Sequence, residues 1–219
     1  MLKIDLKNKN WQWATLLVLS FLWGSSFILM KKGLESYSQY QVAAFRIFFS
    51  FLAFIPSISK NINKINKNNI KSLLIVAFIG TSIPAFMFTK AQTHIDSSIA
   101  GILNSLAPLF TLLIGLTFYK SKAKLINAIG ILLGLVGAMG LILKDTINIG
   151  DSNANNLYGL FIIIAAICYG INANEVKYKI KNLSGIQITS LAFLFIGPPA
   201  GIYLLFSDFS SVAATENYI

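Results

Sequence analysis

Seven stretches of this sequence are long and apolar enough to cross a bilayer, and they fix most of what the chain can become. A hydrocarbon core of ~30 Å takes about 20 apolar residues in a helix. Runs near that size occupy residues 12–30, 40–58, 72–89, 97–119, 125–143, 157–173 and 186–206. In lipid a lone spanning segment satisfies its own backbone only as a helix, so the expectation is an all-α integral membrane protein with about seven transmembrane helices. The composition agrees: 12% of residues are charged, against about a quarter in a soluble domain. The polar segments are too short for a separate soluble domain, so a single membrane domain is expected.

The formal net charge of +10 would suit nucleic acid only if the lysines shared one folded, soluble face. They punctuate the apolar runs instead. With the amino terminus inside, the inner segments hold 13 Lys, including Lys60, Lys64, Lys67 and Lys71, and the outer segments hold Lys31, Lys32, Lys90 and Lys144. Loops of that bias stay cytoplasmic. The expected location is the cytoplasmic (inner) membrane, multi-pass, with the amino terminus in the cytoplasm. The apolar stretch after Trp13 is too long for a cleaved signal, and the single Cys168 excludes an intramolecular disulfide.

At an offset of 146 residues, Leu19–Lys32 lies over Ala165–Tyr178, with Trp23-Gly24 on Tyr169-Gly170 and Gln39 on Gly185. Five spans separate the copies, so the second runs opposite to the first. Inverted repeats of this kind belong to transporters, in which the two halves exchange conformations.

WGSSFILMKKGLE (Trp23–Glu35) resembles the first helix of EamA-type members of the drug/metabolite transporter superfamily. AAFRIFFSFLAF (Ala43–Phe54), FTKAQTHIDSSIAGILNSLAPLFTLLIG (Phe88–Gly115) and INAIGILLGLVGAMGLIL (Ile126–Leu143) continue the likeness, and residues 157–205 are similar to the opening of the family's second copy. The resemblance implies ten helices in two inverted halves of five, a central cavity and passage of small metabolites. Residues 1–145 would form the first five-helix repeat, and 156–219 two helices of the second. The chain departs from the pattern in two ways. Tyr119-Lys120-Ser121-Lys122 stands where the family often has an acid, and the sequence stops where an eighth helix is expected, as in a truncated product.

Arg46 lies about seven residues into the second span, roughly 10 Å deep at 1.5 Å per residue. An ionisable group there faces a cavity or a partner, or snorkels to the headgroups. The resemblance, which also places Arg here, favours the cavity. Pro108 frees the carbonyl of Asn104, leaving either a binding group or a packing kink. Pro84 and Pro198 (beside Pro199) are further candidate helix breaks. Trp23 and Tyr169 fall near the midplane, where aromatics line cavities or, more commonly, fill cores. Lys90 and His94 close the third span, and Lys90 is a further candidate for substrate binding. Gly130, Gly134 and Ala138 make a small-residue stripe for close helix packing. Arg46, Asn104, Trp23 and Pro84 share the outer half, which suggests a cavity opening outward.

The sequence holds no phosphate-binding loop, no His/Cys/carboxylate cluster of metal-site spacing and no haem-attachment motif. No cofactor is expected, and the chain reads as a non-enzyme. The leading function is a secondary transporter (permease) moving small metabolites, amino-acid-like compounds or drugs by alternating access. The competing readings are a membrane assembly or structural subunit and an intramembrane hydrolase using Ser25 or Ser26 with His94. The expected partners are lipid and a small-molecule substrate, with a coupling proton and a second copy of the chain as further candidates; nucleic acid is not one. The lysine bias predicts that an Asn66→Cys variant is labelled by impermeant thiol reagents only from the cytoplasmic side. Labelling from outside intact cells would invert this topology.

Overall fold

The chain's computed structural model describes residues 8–121, 126, 129–134, 136–137 and 153–209. Among these, six helices are long and apolar enough to cross a membrane, and the expected fifth span, 125–143, falls largely outside them. Helix α1 runs Lys9–Ser36 and α2 runs Gln39–Asn61, followed by a 3₁₀ turn at Ile62–Lys64. The third span is split into α3 (Ile70–Ala77), a π-turn (Phe78–Ser82) and α4 (Ile83–Gln92). The fourth is split into α5 (Ser97–Asn104) and α6 (Ala107–Phe118). Helices α7 (Asn153–Lys179) and α8 (Gly185–Leu205) complete the described chain.

Helices α2 and α8 begin alike. Ser38 Oγ accepts from the Gln41 amide while Gln41 Oε1 accepts from the Ser38 amide. Ser184 and Gln187 repeat the same reciprocal box 146 positions later. Each box satisfies two donors that a helix start otherwise leaves bare. The two helices then pack antiparallel. At one end Gln41 Nε2 donates to the Asp208 carbonyl at 2.9 Å; at the other the Ser57 and Ser190 hydroxyls meet at 3.1 Å. Between these ends Phe51 rests on Gly197 and Phe48 on Gly201. Phe51 and Gly197 are themselves 146 positions apart, so the contact falls where a two-fold axis relating the helices would pass. A large ring on one helix fills the space left by a missing side chain on the other.

Alanines are interspersed with larger apolar residues in the core. One cluster joins Ala44 and Ile47 of α2 to Leu73, Ala77, Leu191 and Ala192. A second joins Met30 of α1 to Phe88, Ala91, Ala100, Ile162 and Ala165. Without water to drive association, close approach through small residues is what holds such helices together.

Helices α1 and α7 occupy equivalent places in the 146-residue offset but have opposite surroundings. Ile162 and Glu175 of α7 are 0% and 6% exposed, whereas their counterparts Leu16 and Leu29 on α1 are 54% and 69% exposed. A Cβ on Gly170 would strike the backbone at Phe110, while one on Gly24 would meet nothing. The face that α7 buries against α4–α6 is thus uncovered on α1.

Two expectations about helix breaks are changed. Helix α8 runs through Pro198 and Pro199 without interruption, so the expected break at Pro198 is not formed. Pro108 stands in the first turn of α6 rather than inside a helix, and there its missing N–H leaves no intrahelical bond unmade. The chain parts at Ser105-Leu106 instead, where the Ser105 hydroxyl donates to the Ile102 carbonyl at 2.6 Å.

The α2–α8 contact predicts that Gly197→Ala lowers the melting temperature in detergent, since overpacking costs about 1–3 kcal/mol. Gly185→Ala, where a Cβ meets nothing, is the control. Adding Phe51→Ala to Gly197→Ala should recover part of the loss. Equal melting of both glycine variants would contradict the packing.

Candidate functional site

A cavity of about 1610 Å³ lies between α1, α2 and α4–α7. The interruption of the fourth span serves it. The broken turn at Ser105-Leu106 forms part of its wall, with Asn104 on one side and Pro108 on the other. The π-turn of the third span seats Asn172 of α7 against Gly80, where any side chain would collide with the amide. Pro84 follows this turn and is buried at the start of α4. Unwound backbone at membrane depth is tolerated only where protein or a cavity lines it.

Among the candidates named from the sequence, Trp23, Arg46, Asn104 and Tyr169 line this one cavity, together with Gly130 and Gly134. A Cβ at either glycine would meet nothing within 4 Å. Ala138 lies outside the described residues. Pro84, Pro198 and Lys90 are not on the described wall. Lys90 Nζ sits 5.7 Å above the Tyr158 ring, on which His94 stacks at 3.7 Å. His94 Nδ1 meets the Thr93 hydroxyl, and the Ser25 hydroxyl donates to the Leu22 carbonyl.

Arg46 is the group of most chemical consequence. One guanidinium nitrogen donates to Met30 Sδ at 3.6 Å, and no carboxylate among the described residues pairs with it. A guanidinium carries five N–H donors, and a thioether is a weak acceptor. Asn104 on the same wall holds its Oδ1 buried without a partner. Beside them Tyr169 stacks on Phe88 at 6.1 Å, and Phe88 packs on Phe27 at 5.5 Å. The charged residues on the described wall are Arg46 and Lys177; no acid is among them. The cavity can therefore offer a strong, under-used donor, a free amide acceptor and flat apolar surface.

The wall does not end in the half of the membrane that holds Arg46 and Met30. It continues to Ser121, Lys177 and Tyr178, at the end of the bundle that carries the Lys60–Lys71 loop. At the opposite end Lys31 Nζ donates to the carbonyls of Gln92 and Ile95 at 2.9 and 3.1 Å, and Ser97 donates to the Phe27 carbonyl. These bonds tie α1 to α4 and α5. The lining thus reaches the lysine-rich end, where the sequence suggested an opening at the other.

One cluster was missed. Glu175 of α7 is 6% exposed; its Oε1 accepts from Ser72 at 2.6 Å and its Oε2 from Tyr119 at 2.5 Å. Tyr119 is positioned by the close of α6: Lys120 is left-handed (φ 50°) and the Ser121 amide reaches back to the Gly115 carbonyl. A left-handed residue just past a helix end is usually Gly, and here it is Lys. One residue before Glu175, Asn174 donates to the carbonyls of Thr111 and Gly170, both at 2.8 Å, binding α7 to α6. The sequence signal was an acid near the end of an apolar run, which by itself reads as solvated.

The chain matches the EamA-like transporter family over residues 11–143. It is similar to an uncharacterized transporter of Archaeoglobus fulgidus, at 20% identity over 84% of this chain and 63% of the relative. Protein PagO of Salmonella typhimurium is 21% identical over 83% and 60%. The uncharacterized transporter YoaV of Bacillus subtilis is 24% identical over 78% and 59%. The chain thus spans about three fifths of the length of these relatives. No solved structure matches it. With more than half of its length matched by the family, the chain belongs to the EamA-like transporter family.

Proposed function

We propose that the protein is part of a secondary transporter that carries a small anionic or zwitterionic metabolite through the Arg46 cavity by alternating access. The observation that carries this reading is the guanidinium on the cavity wall, whose hydrogen-bond acceptor among the described residues is a thioether. A buried charge without a counter-charge is costly, and a bound carboxylate or phosphate would supply one in bidentate geometry. The unpartnered Asn104 Oδ1 would accept a donor from the same molecule. Absence of acids from the described wall speaks against cationic cargo. The lysine bias supports an amino terminus in the cytoplasm of a cell whose inner membrane holds the protein, so the lysine-rich end would face inward.

The 146-residue offset supports two inverted repeats, 1–145 and 156–219. The paired capping boxes and the antiparallel α2–α8 contact are what such a repeat would produce. In a complete second repeat, counterparts of α4–α6 would cover the bare face of α1.

In proteoliposomes, uptake of labelled small carboxylates should exceed that of amines of the same size. Arg46→Ala should lower apparent affinity about 10–100-fold, the equivalent of the ~1.5–3 kcal/mol given by hydrogen bonds to a charged group. Arg46→Lys should rescue partly if charge suffices, and poorly if the two-pronged geometry is needed. Parental uptake by Arg46→Ala would remove the cavity assignment.

A further inference from the structure

We propose that Glu175 is a proton-binding site that controls access to the cavity from the lysine-rich end; this rests on the transporter reading. Three segments meet at its carboxylate: α7, which carries it, the start of α3 through Ser72, and the tail of α6 through Tyr119. The ionised form, which only accepts, is matched by the two hydroxyl donors. A proton taken from water onto one oxygen removes the charge and turns that oxygen into a donor. Both bonds then lose the charge that strengthened them, and the protonated oxygen has a proton of its own to place.

Tyr119 is held as a donor, because burial, and then the hydrogen bond to Glu175 and the nearby charge, push its hydroxyl up to about 12. No lysine or arginine among the described residues forms an ion pair with Glu175. Among the described residues, the charged or titratable groups at this end are Lys60, Lys64 and Lys67 before α3, Lys71 in its first turn, Tyr119 and Lys120 after α6, Lys177, Tyr178 and Lys179 on α7, and Lys181 after it. The π-turn and α5 carry none, and Lys90 of α4 lies at the far end. Proton binding is therefore the change of charge that the site can undergo between two otherwise neutral hydroxyls.

The clasp acts on the cavity directly. Tyr119 stacks on Tyr178 at 5.5 Å, and Tyr178 and Ser121 are wall residues. Ser121 is fastened to α6 by its bond to Gly115, so it moves with Tyr119. Ionised Glu175 holds the α6 tail against α7; protonation releases it. Removing the Ser72 hydroxyl leaves the ionised carboxylate one donor short and favours the released state.

The test is alkylation of a Ser121→Cys variant by a water-soluble maleimide, in liposomes, with Cys168→Ala as background. Each rate is divided by that of an Asn66→Cys variant at the same pH, which removes the titration of the thiol itself. The normalised rate should rise several-fold as pH falls. Glu175→Gln should be fast at every pH, and Ser72→Ala should shift the midpoint to higher pH. A flat profile in the Ser121→Cys chain, or the same profile in Glu175→Gln, would overturn the proposal. If Glu175→Gln does not fold, an unmoved midpoint in Ser72→Ala overturns it. The assay needs no substrate, so its failure is separate from a failure of carboxylate uptake.

Discussion

The hydrocarbon core offers no water to a polar group, so every helix break and every ionised side chain at that depth must be satisfied by protein, cavity or ligand. The irregular parts of this structure are organised around that requirement. The Ser105-Leu106 break sits on the cavity wall, and the Ser105 hydroxyl donates to the Ile102 carbonyl there. Arg46 and Glu175 answer the same constraint differently. Glu175 has both oxygens occupied by hydroxyls, whereas the guanidinium of Arg46 has one weak acceptor. A satisfied buried charge is a structural hinge point. An unsatisfied one that faces a large cavity is a place for a counter-ion to bind.

Close approach of backbones makes the cavity possible. Gly170 lets α7 lie against the α6 backbone, and Asn174 then reaches both Thr111 and Gly170 carbonyls. Gly197 and Gly201 do the same for α2 and α8, where Phe51 and Phe48 occupy the vacated space. The two pairs of contacts hold two helices that carry wall residues. One fixes α7, with Tyr169 and Lys177, against the broken fourth span; the other fixes α2, with Arg46, against α8. The helices paired by the 146-residue offset are not chemically equivalent, because a Phe51 ring on one meets Gly197 on the other.

Six of the seven expected spans, their order and the family were legible in the sequence because hydropathy over about 20 residues is a local property. Arg46, Asn104, Trp23 and Tyr169 were legible as candidates because polar and aromatic residues at depth are conspicuous against an apolar run. Their convergence on one wall is a tertiary fact. Proline was a poorer guide. Pro198 and Pro199 stay inside a continuous helix, and Pro108 follows the break rather than causing an interior kink. The chain beside a proline can re-satisfy its carbonyls from side chains, so a proline marks tolerance more than position. Glu175 was illegible for another reason: its donors, Ser72 and Tyr119, come from spans 103 and 56 positions away. No spacing rule within one helix could bring them to it.

The claim that carries most weight is that Arg46 makes this cavity selective for negative charge. The most direct measurement is modification of an Asn104→Cys variant, with Cys168→Ala as background, by methanethiosulfonate reagents bearing a sulfonate or a quaternary ammonium. Each rate is taken relative to that of the same reagent with a free thiol in solution. The account predicts that the sulfonate reagent is favoured, and that Arg46→Ala abolishes the preference. Equal relative rates for the two reagents, or a preference that survives Arg46→Ala, would contradict it.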